Sequence, residues 1–296
     1  MKLKGALCSL FLNMKYLIAL ILSSALFGAE ASSFPFKHSG ELNIPVYISK
    51  PDIINEKTRL VVVIHGRKRN AGDYRDQWIE SSQNLNLVIA VPEFSEKDFP
   101  GVYSFNYGNV IDEEGNQLPE VAQLFSYIHP LVTQIQESFS LNSKWGIYGH
   151  GAGAHFVHRM VIHRPDIPYT LAIAANPGWY LAPTNIEWPF GLTNAGISDE
   201  MLSKAYSNYF LLMLGKSDLS TKPNTPYVAS IFDKVTAQGQ HRLDRGRNFF
   251  KGSIKKAKEL DVFLKWGMVE VPTKDGHSNT QQMVPYAAEL FYERLR

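Results

Sequence analysis

The chain has 296 residues, of which 45% are hydrophobic, 20% charged and 12% aromatic, a balance that excludes a disordered or collagen-like chain. Lys and Arg number 30 against 28 Asp and Glu, and a formal net charge of +2 argues against nucleic-acid binding through bulk charge. The single cysteine, Cys8, excludes an intramolecular disulfide.

The N-terminus reads as an export signal. Met14 and Lys15 precede the apolar run Tyr16-Leu17-Ile18-Ala19-Leu20-Ile21-Leu22, small residues follow, and Ala29-Glu30-Ala31 has the A-x-A form of a cleavage site. Residues 1–31 are therefore expected to be a signal peptide and residues 32–296 the mature domain, secreted or periplasmic. An uncleaved N-terminal anchor is the alternative. The apolar run is short for a membrane span, so no stable anchor is expected after cleavage. The mature chain would have 265 residues and no cysteine, and its fold would rest on its core alone.

Along that chain, apolar runs alternate with helical patterns. Residues 40–49 read as edge strands. Leu60-Val61-Val62-Val63-Ile64 and Leu87-Val88-Ile89-Ala90-Val91 are continuous apolar runs of the kind buried on both faces of a parallel sheet. Residues 71–84 between them read as one helix. Residues 119–139 read as a long helix with Pro119 in its first turn and a kink or break at Pro130. A strand at 145–148 leads through a Gly-rich turn to a helix over 152–163. Strands follow at 169–174, 209–214 and 265–271, and a closing helix over 281–295. This alternation predicts one doubly wound, mostly parallel sheet with helices on both faces. Residues 177–207, rich in Trp, Tyr and Pro, fit the rhythm poorly and read as a small cap-like insertion over the C-terminal edge of the sheet, where such folds bind ligands.

The chemistry concentrates in the turn Gly149-His150-Gly151-Ala152-Gly153. Gly149 and Gly153 occupy the outer positions of a G-x-S-x-G nucleophile elbow, where strand and helix approach too closely for side chains. The central residue is Gly151 instead of serine. A plain Gly-rich turn and an elbow whose serine has been replaced are both open at this point. The order of the remaining residues favours the elbow. The acid of such a site follows a late strand, and Asp218 lies in the turn after Phe210-Leu211-Leu212-Met213-Leu214, with Asp261 and Asp275 as alternatives. The base comes last, before the final helix, and His277 is the last of nine histidines. The order 151, 218, 277 is that of nucleophile, acid and base on this fold. His65-Gly66-Arg67 ends the first long strand, so the backbone amides of Arg67 and Ala152 are the expected oxyanion-hole donors.

With these residues the chain resembles the α/β-hydrolase superfamily, in particular its secreted esterase and poly(3-hydroxybutyrate)-depolymerase-like branch. The resemblance is carried by His65-Gly66-Arg67-Lys68-Arg69-Asn70-Ala71, Tyr74-Arg75-Asp76-Gln77-Trp78, Pro92-Glu93-Phe94, the turn and helix from Gly149 to Arg159, His241-Arg242-Leu243, Arg245-Gly246-Arg247-Asn248-Phe249-Phe250 and Gly276-His277. It covers roughly residues 59–294 and implies an α/β-hydrolase fold and a hydrolase of carboxylic esters or amides. It departs from the family at the one position where serine is replaced by Gly151. Without that hydroxyl an acyl-enzyme cannot form there. The expected function is a weak or inactive, ligand-binding pseudoenzyme. An ester hydrolase using a water activated by His277, or an active family member carrying a Ser-to-Gly change, are the alternatives. The expected ligand is a small or polymeric ester-like molecule. Trp179, Tyr180 and Trp188 are the expected pocket wall, suited to an aliphatic or aryl group.

Other clusters have plainer readings. His150, His155, His158 and His163 gather around one helix without an H-E-x-x-H or a cysteine pattern, so no metal is expected. No organic cofactor is implied. Arg67-Lys68-Arg69 reads as a solvated loop, and Arg242, Arg245 and Arg247 as surface ion pairs ahead of a buried aromatic pair.

Overall fold

In a computed structural model of the protein, residues 32–37 and 42–296 are described. The expected signal segment lies outside them, and no helix among the described residues is long and apolar enough to cross a membrane. Eight strands form one sheet: β1 (Ser32–Lys37), β2 (Asn43–Ser49), β3 (Arg59–Ile64), β4 (Leu87–Pro92), β5 (Trp145–His150), β6 (Leu171–Ala175), β7 (Phe210–Gly215) and β8 (Trp266–Val271). Their spatial order is β1-β2-β4-β3-β5-β6-β7-β8. The β1/β2 and β2/β4 pairs are antiparallel and the others parallel. The continuous apolar runs are central strands. On β3, Leu60, Val62 and Ile64 enter one core layer while Val61 and Val63 enter the other, so an unbroken apolar sequence serves both faces.

One layer packs under α3 (Ile128–Phe139), α4 (Ala152–His163), α5 (Asp199–Tyr206) and α8 (Arg242–Glu259), through Leu131, Phe156, Tyr206 and Phe249. The other packs under α1 (Ala71–Gln77) and α9 (Thr280–Leu295), through Tyr74, Ala287 and Phe291. The helix expected over 71–84 is two helices, α1 and α2 (Ile79–Asn84), parted at the fully buried Trp78. The one expected over 119–139 is shorter. Two 3₁₀ turns, Glu120–Ala122 and Leu124–Tyr127, precede α3 because Gln123 is extended. Pro130 then falls in the first turn of α3, where a missing N–H costs no intrahelical bond, and the expected kink loses its cause. Two short helices, α6 (Pro226–Ser230) and α7 (Phe232–Thr236), complete the set. In the stretch expected to be an insertion, residues 177–198 are irregular and α5 follows, with Leu202 and Tyr206 in the main core.

The approach of β5 and α4 is set by two glycines. A Cβ on Gly149 would stand 2.1 Å from the Gly153 carbonyl oxygen, and a Cβ on Gly153 would stand 2.1 Å from the carbonyl oxygen of Ile64 on β3. Both clashes are with backbone and no rotamer relieves them. Gly153→Ala is expected to cost more than about 3 kcal/mol of stability, read as a lower urea midpoint. An unchanged midpoint would show that the strand and helix are not locked at this spacing.

Candidate active site

The site lies at the C-terminal ends of β3, β5, β6, β7 and β8. At the end of β5 the chain turns at Gly151, with φ 58° and ψ −111°, and enters α4. L-residues adopt that conformation only under strain. The Gly151 amide donates to the Ala175 carbonyl at 3.0 Å, which ties the turn to β6. Among the described residues, and besides its chain neighbours, only the His277 ring comes within 4 Å of a Cβ built on Gly151, with Nε2 at 3.3 Å.

His277 Nδ1 is 2.8 Å from Asp218 Oδ2. A carboxylate only accepts, so Nδ1 donates and Nε2 is left facing Gly151. Asp218 is buried, and its other oxygen accepts from Arg242 Nη1 at 3.2 Å. Burial disfavours its charge, but the hydrogen bond and charge of His277, with the Arg242 guanidinium, outweigh that and hold the carboxyl below its ordinary range. Asp261 and Asp275 are both exposed, and Asp275 is engaged by Gln282. Of the three candidate acids, Asp218 is the one that meets His277.

A buried amide network surrounds this pair. Asn279 Oδ1 is 2.9 Å from both His150 Nε2 and Asn176 Nδ2, and Asn279 Nδ2 donates to the Gly276 carbonyl at 2.5 Å. Asn176 Oδ1 accepts from the Gly215 amide at 2.7 Å. The ring of His150 stacks on that of His277, centroids 5.2 Å apart. Burial first, and then the charge of His277, push the His150 imidazole down to about 3, so it stays neutral. The network thus links the loops after β5, β6, β7 and β8. Sequence reasoning did not single out Asn176, Asn279 or this use of His150. The only signal was their place immediately after strand ends or beside His277.

The remaining expected site residues are distributed as follows. Arg67 is exposed at the end of β3, and Ala152 opens α4 with an amide that has no partner within the helix. Trp179 is buried against His155, with centroids 4.2 Å apart, and its Nε1 donates to Tyr107 Oη at 3.1 Å. Trp188 is half-buried in the same aromatic cluster. Tyr180 is fully buried in the main core, stacked on Phe249 at 4.5 Å, and presents no surface to a ligand.

Two of the α4 histidines, His155 and His158, serve backbone groups. His155 Nε2 accepts from the Gly178 amide at 2.9 Å and His158 Nε2 from the Leu181 amide at 3.2 Å, stitching the irregular segment to the helix. Two of the basic runs differ from expectation. Arg69 is buried, bonded to the carbonyls of Phe94 and Phe99, while Arg67 and Lys68 are exposed. Arg242 and Arg245 are buried, because Asp218 and the Gly178 carbonyl accept from them, and only Arg247 forms an exposed pair, with Glu270.

No family model and no curated protein matches the sequence. Solved structures do. The chain is 36% identical to poly(aspartic acid) hydrolase-1 from Sphingomonas sp. KT-1, over 88% of this chain and 97% of that one, with a TM-score of 0.80. It is 28% identical to LpqC, a poly(3-hydroxybutyrate) depolymerase from Bordetella parapertussis, over 90% and 91% of the two chains, also with a TM-score of 0.80. An IroE-like serine hydrolase from Shewanella oneidensis, 13% identical over 89% and 80% with a TM-score of 0.57, shares the fold. The strand order, the turn at Gly151 and these likenesses agree: the chain belongs to the α/β-hydrolase superfamily, in its esterase- and depolymerase-like branch.

Proposed function

We propose that this protein is an exported, ligand-binding member of its family in which Gly151 stands where the nucleophile would be, so that an ester- or amide-like ligand is bound but turned over weakly or not at all. One observation carries the reading. A side chain at position 151 would point at His277 Nε2 from 3.3 Å, and that ring is backed by Asp218 at 2.8 Å. Base and acid stand in contact, and the residue facing them has no hydroxyl to activate. In this reading Asp218 orients His277, the amides of Arg67 and Ala152 hold the ligand's carbonyl oxygen, and Trp179 and Trp188 back an apolar wall. Tyr180 has no part in it. The related structures are named for a poly(aspartic acid) hydrolase and a poly(3-hydroxybutyrate) depolymerase, which favours a polymeric acyl ligand or a short piece of one. Residues 1–31 would act as the export signal, releasing the domain to the periplasm or the medium.

Restoring the hydroxyl tests this. Gly151→Ser is expected to hydrolyse short-chain p-nitrophenyl esters and to be labelled by a serine-directed phosphonate, with a rate about 10³-fold or more above the unmodified protein. The serine should also lower stability by about 1–3 kcal/mol, the cost of the strained backbone angles. Enzyme-like turnover by the unmodified protein would sink the binding reading and point to water activated by His277.

A further inference from the structure

We propose that the site at Gly151 is a receptor for a carboxylate, the hydrolysed end of an acyl ligand, and that the carboxylate enters together with one proton held between it and His277 Nε2. The inference rests on reading Gly151, His277 and Asp218 as one site, and goes beyond it by naming the ligand.

Because Asp218 takes the Nδ1 proton, a neutral His277 ring offers only a lone pair at Nε2. No hydrogen bond to Nε2 exists among the described residues, and the position it faces has no side chain. A serine hydroxyl would donate to that lone pair. The carbonyl of an intact ester cannot, since both ester oxygens only accept. A carboxyl group can, in either of two equivalent forms. The neutral acid donates its O–H to Nε2, or the carboxylate accepts from Nε2–H of the imidazolium. Atoms and charge are the same in both: one carboxylate and one proton are taken up. The second oxygen is then free to accept from the Ala152 amide.

The surrounding charges suit this uptake. Asp218, from the turn after β7, is offset by Arg242 of α8 at 3.2 Å. His150, on β5, stacks on the His277 ring and is kept neutral by burial. His155 of α4 is likewise buried and neutral. Those four groups sum to zero, and Arg245 of α8, also buried and within the field of Asp218 and Arg242, adds a positive charge; a proton on His277 increases it, and an incoming carboxylate offsets it. Charge-assisted hydrogen bonds of this kind are about twice as strong as neutral ones.

The test is calorimetry on the mature chain with butyrate and its uncharged, acceptor-only isostere 2-pentanone, in two buffers of different ionisation enthalpy. Butyrate is expected to bring in one proton per molecule bound. Where the free ring is neutral, its Kd should rise tenfold per pH unit. 2-Pentanone, which can only accept, is expected to bind at least tenfold more weakly at pH 6, with no proton uptake. Gly151→Ser, which fills the space, should weaken butyrate at least tenfold, and His277→Phe, which keeps a ring against His150, should abolish the uptake. Equal binding of acid and ketone, binding without proton uptake, or no butyrate binding at millimolar concentration would each overturn the proposal. If Gly151→Ser gains esterase activity while the unmodified protein ignores butyrate, only the carboxylate inference fails. If that variant is also inert, the reading of the site fails with it.

Discussion

The folded protein is expected to lose most of its stability between pH 6.5 and about pH 4.5, before most carboxylates titrate. Among the described residues, five histidines are buried in the core or under the site: His65, His150, His155, His158 and His163. Burial is the first cause in each case and lowers His65 to about 4 and His150 and His163 to about 3, with His155 and His158 well below the ordinary 6.5. The hydrogen bonds explain why the neutral forms are kept. His65 Nε2 accepts from the Phe94 amide at 3.0 Å, and the ring nitrogens of His155 and His158 accept backbone amides in the same way, roles an imidazolium cannot fill. The unfolded chain binds protons at these residues below pH 6.5 and the folded chain does not. Their contribution is complete above pH 6.5 and falls by about 1.4 kcal/mol per histidine per pH unit below it, until each folded-state value is reached. Five such groups exhaust a typical stability of about 5–15 kcal/mol within roughly two units. The urea midpoint, followed from pH 7.5 to 4.5, should drop steeply and without change of buffer ions. A flat midpoint from pH 7 to 5 would mean that these rings accept protons in place.

In the Gly151→Ser background, Asp218→Asn is expected to remove about 10⁴-fold of the restored esterase rate, the loss seen when the acid of a serine-protease triad is made an amide. The structure gives two causes. An Asn side chain can offer its N–H to Nδ1, which would move the ring proton to Nε2 and leave no lone pair for the serine. It also removes the anion that Arg242, itself buried, is paired with at 3.2 Å, so the loop after β7 loses stability as well. Stopped assays in parallel with phosphonate labelling separate the two effects. Slow labelling with unchanged unfolding is the signature of a misdirected ring. If Asp218→Asn left the rate within tenfold, another group would have to orient His277.

The elements that were legible in the sequence are those whose burial leaves a pattern. β3 and β4 are read from unbroken apolar runs, and α4 from the Gly-rich turn that opens it after a strand. α8 was not assigned, although it is an 18-residue helix, because its inward face includes Arg242, Arg245 and Gly246 beside Leu243 and Phe249. Buried arginines that bond to a carboxylate or a carbonyl look like surface residues until the partner is placed beside them. The same limit applied to the site. Gly151, Asp218 and His277 follow strand ends in an order that the linear chain displays, and the folded chain brings them into contact. The network through His150, Asn176 and Asn279 joins residues from 26 to 129 positions apart, with no periodicity to announce it.

The irregular segment after β6 has a further consequence for how a ligand gets in. Arg159 is fully buried, lies over the rings of Tyr107 and Trp188, and donates from Nη2 to the Pro189 carbonyl at 2.8 Å, with no carboxylate paired to it among the described residues. Gly178 and Leu181 are held by His155, His158 and Arg245. Swinging residues 177–189 away would break all of these bonds together and strand a cation in an apolar interior, at a cost of several times the ~1 kcal/mol of one ordinary hydrogen bond. This stretch is therefore a fixed wall and not a door. If a ligand binds beside Gly151 as proposed, its selection is a matter of shape met on arrival, against a wall that does not swing aside to admit it.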